Sequence, residues 1–116
     1  MGNVLILLQV IQRDLPFYRQ AIGMDSSLNL RRFFREITAS TVSQYIENHL
    51  GAGRMQEETK TFLVDFVTAG FVETYIRYIE TGAEEAPERL LLRYYDLIEP
   101  QLRLAIDKSV MRDKMN

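Results

Sequence analysis

No cysteine occurs in the 116 residues of this chain. Disulfides, thiolate nucleophiles and cysteine-built metal sites are excluded together. Such a chain suits a reducing cytosol, and a cytoplasmic location is the expectation. Histidine appears once, as His49, too little for a His-rich metal site or a Ser-His-Asp triad. It falls at an expected helix end, where a cap-region role is the plain reading, and Glu47 would lie on another helix face. Neither sign of charge dominates: 14 Lys and Arg stand against 16 Asp and Glu, a net charge of −2. The basic patch of a DNA-binding domain is therefore missing. Arg31, Arg32 and Arg35 form the one local cluster, and it reads as a solvated helix face. Long apolar runs are also lacking. Residues 4–11 are nearly all apolar, but without a basic leader or a small-residue cleavage site they are no signal peptide. They fall far short of the ~20 residues a membrane span needs. No Gly-rich phosphate loop, HExxH or GxSxG is present. Asp14, Asp25, Asp65, Asp96 and Asp107 are scattered. No enzyme, catalytic residue, metal or cofactor is expected, nor any contact with a membrane.

What is present is the composition of one globular domain. Apolar residues make up 47% and charged residues 26% of the chain, ordinary values for a packed fold. Folding should bury roughly two-thirds of the unfolded surface, enough for a core without crosslinks. Strand-like alternation is absent, and helical periodicity accounts for almost everything. Five helices are expected. The first, about 3–13, repeats apolar residues at Val4, Leu5, Leu7, Leu8 and Ile11. Pro16 ends or kinks it near Asp14 and opens a short second helix, about 16–22, with Gly23 as its C-cap. The third starts after Asp25, Ser26 or Ser27, carries the stripe Leu30, Phe33, Phe34, Ile37, Thr41 and Tyr45, and stops at the glycines 51 and 53. The fifth begins at Pro87 with the stripe Leu91, Tyr94, Tyr95, Ile98, Leu102 and Ile106. Pro100 should kink it or break it near Glu99, because proline removes a hydrogen bond and clashes with the preceding turn.

The fourth helix, from about 56 to Gly82, is the most informative. Its apolar residues wrap most of the circumference, so it must be buried on more than one side. The other four helices are too few to cover it, and a second subunit is the simplest cover. Asp65 marks a narrow solvated stripe with Thr61 and Thr68. Gly70 sits mid-helix, where glycine costs ~1 kcal/mol relative to alanine. A close helix crossing, or room beside a pocket, would offset that cost. The phenylalanines suit a core, whereas Tyr78, Tyr94 and Tyr95 suit an interface, having an apolar body and a polar tip.

The order of these features resembles a known family. The run 62–82, with Phe62, Phe66, Gly70, Tyr75, Tyr78, Ile79 and Gly82 followed by Pro87-Glu88, looks like the penultimate helix and turn of TetR-like C-terminal domains. Phe17-Tyr18-Arg19 after the proline break resembles the branch similar to dihydroxyacetone kinase operon regulators. Tyr78 stands where the family usually has tryptophan. Nothing resembles the family's helix-turn-helix head, so residues 1–116 read as a single TetR-like C-terminal regulatory domain that binds no nucleic acid by itself. The head is either missing from this chain or was never part of it. The resemblance implies an all-α, five-helix domain whose last two helices form a four-helix bundle with a symmetry mate. It also implies an effector pocket enclosed by the other helices and no catalysis. Carried over, the dimer face comprises Phe71, Tyr75, Tyr78, Ile79, Leu91, Tyr94, Tyr95 and Ile98. The pocket comprises Leu8, Tyr18, Phe34, Tyr45, Phe62 and Phe66. The expected partners are a second copy and a small apolar or amphipathic effector. The alternative is a helical dimeric adaptor that binds a protein partner without an effector; a filled core with an open apolar groove would favour it over an enclosed cavity.

Overall fold

A computed structural model of the chain describes residues 1–23 and 27–115. Every regular element among them is helical. Helix α1 (Gly2–Arg13) and helix α2 (Leu15–Ile22) flank Asp14, which leaves the helical region at φ −108°, ψ 32°. The proline break thus falls where Pro16 requires it. Gly23 closes α2, but in a right-handed rather than a left-handed conformation. The N-cap expected from Asp25, Ser26 or Ser27 lies outside the described residues. Helix α3 (Ser27–His49) ends at Gly51, whose φ of +79° is the left-handed cap that glycine makes cheap. Gly53 sits in the short 3₁₀ turn that follows, Ala52–Arg54.

Helix α4 (Glu57–Glu80) begins with Glu57 and Glu58 in the first turn, where the helix dipole favours them. It ends in a Schellman motif. Ala83 N–H donates to the Tyr78 carbonyl at 2.9 Å and Gly82 N–H to the Ile79 carbonyl at 3.1 Å. Gly82 supplies φ +89° and Ala83 follows at φ 49°.

The expected fifth helix is present in three pieces. Helix α5 (Pro87–Arg93) passes through a π-helical turn (Tyr94–Ile98) into helix α6 (Glu99–Met115) without interruption. The break expected near Glu99 does not occur. Instead Glu99 N–H donates to the Tyr94 carbonyl, five residues back. A widened turn of this kind directly precedes Pro100 and gives the ring room against the turn it would otherwise strike.

The core lies where α1, α3 and α4 meet. Val4, Leu8 and Ile11 of α1 face Phe34, Val42 and Ile46 of α3 and Tyr75 and Ile79 of α4, all buried. The stripe of α3 is rotated from its expected place. Phe34, Thr38, Val42 and Ile46 point inward, while Phe33 and Ile37 are exposed. The buried hydroxyl of Thr38 disguised the true face, because an apolar count passes over it. Thr68 is likewise buried, not solvated with the exposed Asp65 and Thr61.

The shape is flat, with Cα extents of 52 × 28 × 17 Å. Helices pack 8–10 Å apart, so the molecule is about two helices thick. Its radius of gyration, 15.6 Å, exceeds the roughly 13 Å of a compact chain this long.

Replacing Gly82 with alanine should cost about 1–2 kcal/mol, the penalty for a Cβ in left-handed backbone. The nearest atoms to that Cβ lie at 3.8 and 3.9 Å, so the cost is conformational rather than steric. Gly53→Ala, without positive φ and in open space, should change stability by less than about 0.5 kcal/mol. Equal thermal melts for the two variants would refute this reading of the turn.

Candidate functional site

Of the six residues expected to enclose a pocket, Leu8 and Phe66 line a groove between α4 and helices α5 and α6, and the other four do not. Leu8, Tyr18 and Phe34 are core residues. Tyr18 stacks on Phe34 at 6.0 Å, and Phe34 meets Tyr75 edge-on at 5.3 Å, so the interior between them is filled. The Tyr45 hydroxyl donates to the Glu99 carboxylate, and its ring lies 5.0 Å from that of His49. Phe62 and Phe66 are 69% and 70% exposed, stacked on each other at 6.1 Å on the outer surface. They lie on the outer flank of α4, while Leu63, Val64 and Val67 on the same half face the core.

The residues of the expected dimer face lie mostly within the subunit. Phe71, Tyr75, Tyr78, Ile79 and Tyr94 are buried by their own chain, Leu91 and Tyr95 partly so, and only Ile98 is exposed. Helices α1, α2 and α3 pack closely on α4. They cover its C-terminal half before any second subunit could. Tyr78 is held further by a bond from its hydroxyl to the Glu85 carbonyl, across the turn into α5.

Two apolar grooves remain. The first, about 390 Å³, runs between α4 and the α5–α6 rod. On the α4 side it is lined by Phe66, Val67, Gly70, Phe71 and Thr74. Leu90, Arg93, Leu97, Ile98 and Leu102 are among the residues of the opposite wall, and Val4, Leu8 and Tyr75 lie at its floor. These two helices do not pack closely on one another. A Cβ built on Gly70 would meet nothing within 4 Å, so the glycine opens the groove instead of admitting a close crossing within the chain. The second groove, about 280 Å³, lies between α1 and α3. Val4 and Tyr75 line both.

A family model described as the C-terminal region of transcriptional regulators, of the TetR type, matches residues 3–100. The chain belongs to this TetR C-terminal family. No curated protein and no solved structure matches it. Domains of this TetR type are regulatory and typically dimerise. No helix among the described residues is long and apolar enough to cross a membrane.

Within this TetR-type domain the outward-facing residues that sequence reasoning passed over are Leu97 at 62% exposure, Leu104 and Met111. They recur every seventh residue along the rod, a signal hidden behind the inward stripe of Leu102 and Ile106. The inner side of the rod is tied to α3 by polar contacts. Arg103 donates to the His49 carbonyl at 3.1 Å and to Glu99 at 3.3 Å, and Glu99 also accepts from Tyr45. The buried Tyr94 hydroxyl has no partner among the described residues. Arg31 of the basic cluster pairs with Glu73 of α4, while Arg32 and Arg35 are solvated.

Burial raises all six tyrosines above their ordinary pKa of 10. Tyr75 is pushed to about 12 by desolvation, against a smaller opposing effect of the Thr38 hydrogen bond. A folded pKa above the unfolded one contributes stability that is complete below pH 10 and lost as pH rises toward 12. Tyrosinate absorbance should therefore rise cooperatively with unfolding in this alkaline window. Gradual ionisation near pH 10 in a chain that keeps its helical circular dichroism would show the tyrosines to be wet.

Proposed function

We propose that this chain is the homodimerisation and effector-sensing domain of a TetR-type regulator, and that two copies meet through the α4–α6 face. One observation carries the reading. The groove between α4 and the rod is apolar, unfilled, and rimmed by exposed Phe66, Leu97 and Ile98. Surface area points the same way. The chain exposes 7600 Å², whereas a compact monomer of its mass exposes roughly 6,600 Å². The excess, on the order of 1,000 Å², is similar to the ~800 Å² each partner contributes to a standard interface. A helix of the second copy seated beside Gly70 would complete a four-helix bundle. Phe71, Tyr75, Leu91, Tyr94 and Ile98 of the expected face line this groove, and the face proposed here adds Phe62, Phe66, Gly70, Leu97 and Leu104.

Phe17-Tyr18-Arg19 after the proline break supports placement in the branch similar to dihydroxyacetone kinase operon regulators. The balance of charge supports a domain that reads no operator by itself, and the family supports a cytoplasmic setting. The filled core and open groove also favour the adaptor reading, in which a helical protein partner occupies the same groove.

Light scattering should show a dimer at micromolar concentration, and a stable monomer would leave the groove to a different protein. Phe66→Asp and Leu97→Asp should each yield folded monomers, because both side chains are exposed in the single chain. Gly70→Ala should stabilise the isolated subunit by up to ~1 kcal/mol yet weaken dimerisation. A tighter dimer in that variant would refute the crossing.

A further inference from the structure

We propose that the groove between α1 and α3 binds a small, neutral, amphipathic molecule through an acceptor oxygen, and that Tyr75 and Val4 transmit its presence to the α4–α6 face. The second half rests on the dimer reading above; the first does not. The walls are the apolar side chains of Ile6, Leu7 and Val10 on α1 and Ile37 on α3, with Asn3 and Thr41 also lining the groove and joined by a hydrogen bond of 3.2 Å from the Asn3 amide to the Thr41 hydroxyl. Polar groups converge below them. Thr38 is 3% and Tyr75 0% exposed, and the two hydroxyls share one hydrogen bond of 3.3 Å.

This pair has one more donor than its shared bond uses. Two hydroxyls carry two donors, and one bond between them uses one. Thr41, Thr74 and Thr81 each donate to the carbonyl four residues back. Thr38 turns to Tyr75 instead. Among the described residues one O–H is thus left without an acceptor at the floor of the groove, a costly state for a buried donor. A carbonyl or ether oxygen would satisfy it. No charged residue lines the groove, so a carboxylate or ammonium would be desolvated there without compensation. At about 280 Å³ the space lies at the small end of the ~300–1,000 Å³ usual for ligand sites. A compact body with a single polar oxygen fits this description.

Tyr75 and Val4 separate this groove from the one between α4 and the rod, since both line each. A molecule that orients the Tyr75 hydroxyl therefore acts on a ring whose other side faces the dimer surface. It changes dimer affinity only if it binds the two association states unequally.

The test uses the full chain with methyl-labelled Ile, Val and Thr and three probes: 2-heptanone, 2-heptanol and hexanoate. The expected result is that 2-heptanone and 2-heptanol shift the methyl signals of Ile6, Val10 and Ile37 saturably, while hexanoate does not. Thr38 donates to Tyr75, so the free O–H is that of Tyr75. Tyr75→Phe, which keeps shape and removes it, should weaken ketone binding roughly three- to tenfold, whereas Thr38→Val, which leaves it, should retain binding. Ile37→Phe, at the exposed rim, should block it without touching the core. Equal binding of hexanoate, unchanged affinity in Tyr75→Phe, or shifts confined to other methyls would overturn the site. A shift in the dimer dissociation constant with saturating 2-heptanone, lost in Ile37→Phe, is expected for the coupling. An unchanged constant overturns the coupling alone. A chain that is monomeric throughout overturns the dimer reading while the methyl shifts still decide the site.

Discussion

Helix α4 carries more apolar surface than the three helices packed on it cover, and the rest of the molecule is arranged around that excess. Its C-terminal half is wrapped by α1, α2 and α3, with Tyr75 and Ile79 fully enclosed. Its N-terminal half leaves Phe62 and Phe66 in water. In a body about two helices thick, a helix apolar on nearly every side must present one flank outward. The rod of α5 and α6 lies alongside but does not close the gap. The groove between them is the geometric remainder.

The enclosed half is rigidified by aromatic contacts. Tyr18, Phe34, Tyr75, Phe71 and Tyr94 follow one another with centroids 5.0–6.5 Å apart, a range in which ring pairs attract beyond their area burial. This chain of rings leads from α2 through the core to the π turn of the rod. Tyr75 is its centre and the shared wall of both grooves. A packed core shifts between discrete arrangements more readily than it deforms continuously. A change at Tyr75 is accordingly felt on either side of it.

The π turn solves a local problem with a global consequence. A break before Pro100 would have detached α6, together with Arg103 and Glu99, from the end of α3. The widened turn keeps one rod from Pro87 to Met115 and sets Leu97, Leu104 and Met111 along its outer face. The bonds from Tyr45 and Arg103 hold the inner face.

The sequence by itself determined the all-α class, the break at Asp14, the ends of α3 and α4 at Gly51 and Gly82, and the start of the rod at Pro87. Those are local matters, settled by backbone sterics and helix-end hydrogen bonding within a few residues. It also carried the family, through the order of aromatic and glycine positions along α4 and the turn after it. Tertiary structure alone decided which flank of α4 is covered. A helix apolar all round has no preferred face in its own periodicity, so the tyrosines went inward and Phe62 and Phe66 outward without any sign in the chain. The same holds for Thr38. Its hydroxyl became a floor group only because Tyr75, 37 residues away, was brought against it by the packing of α3 on α4.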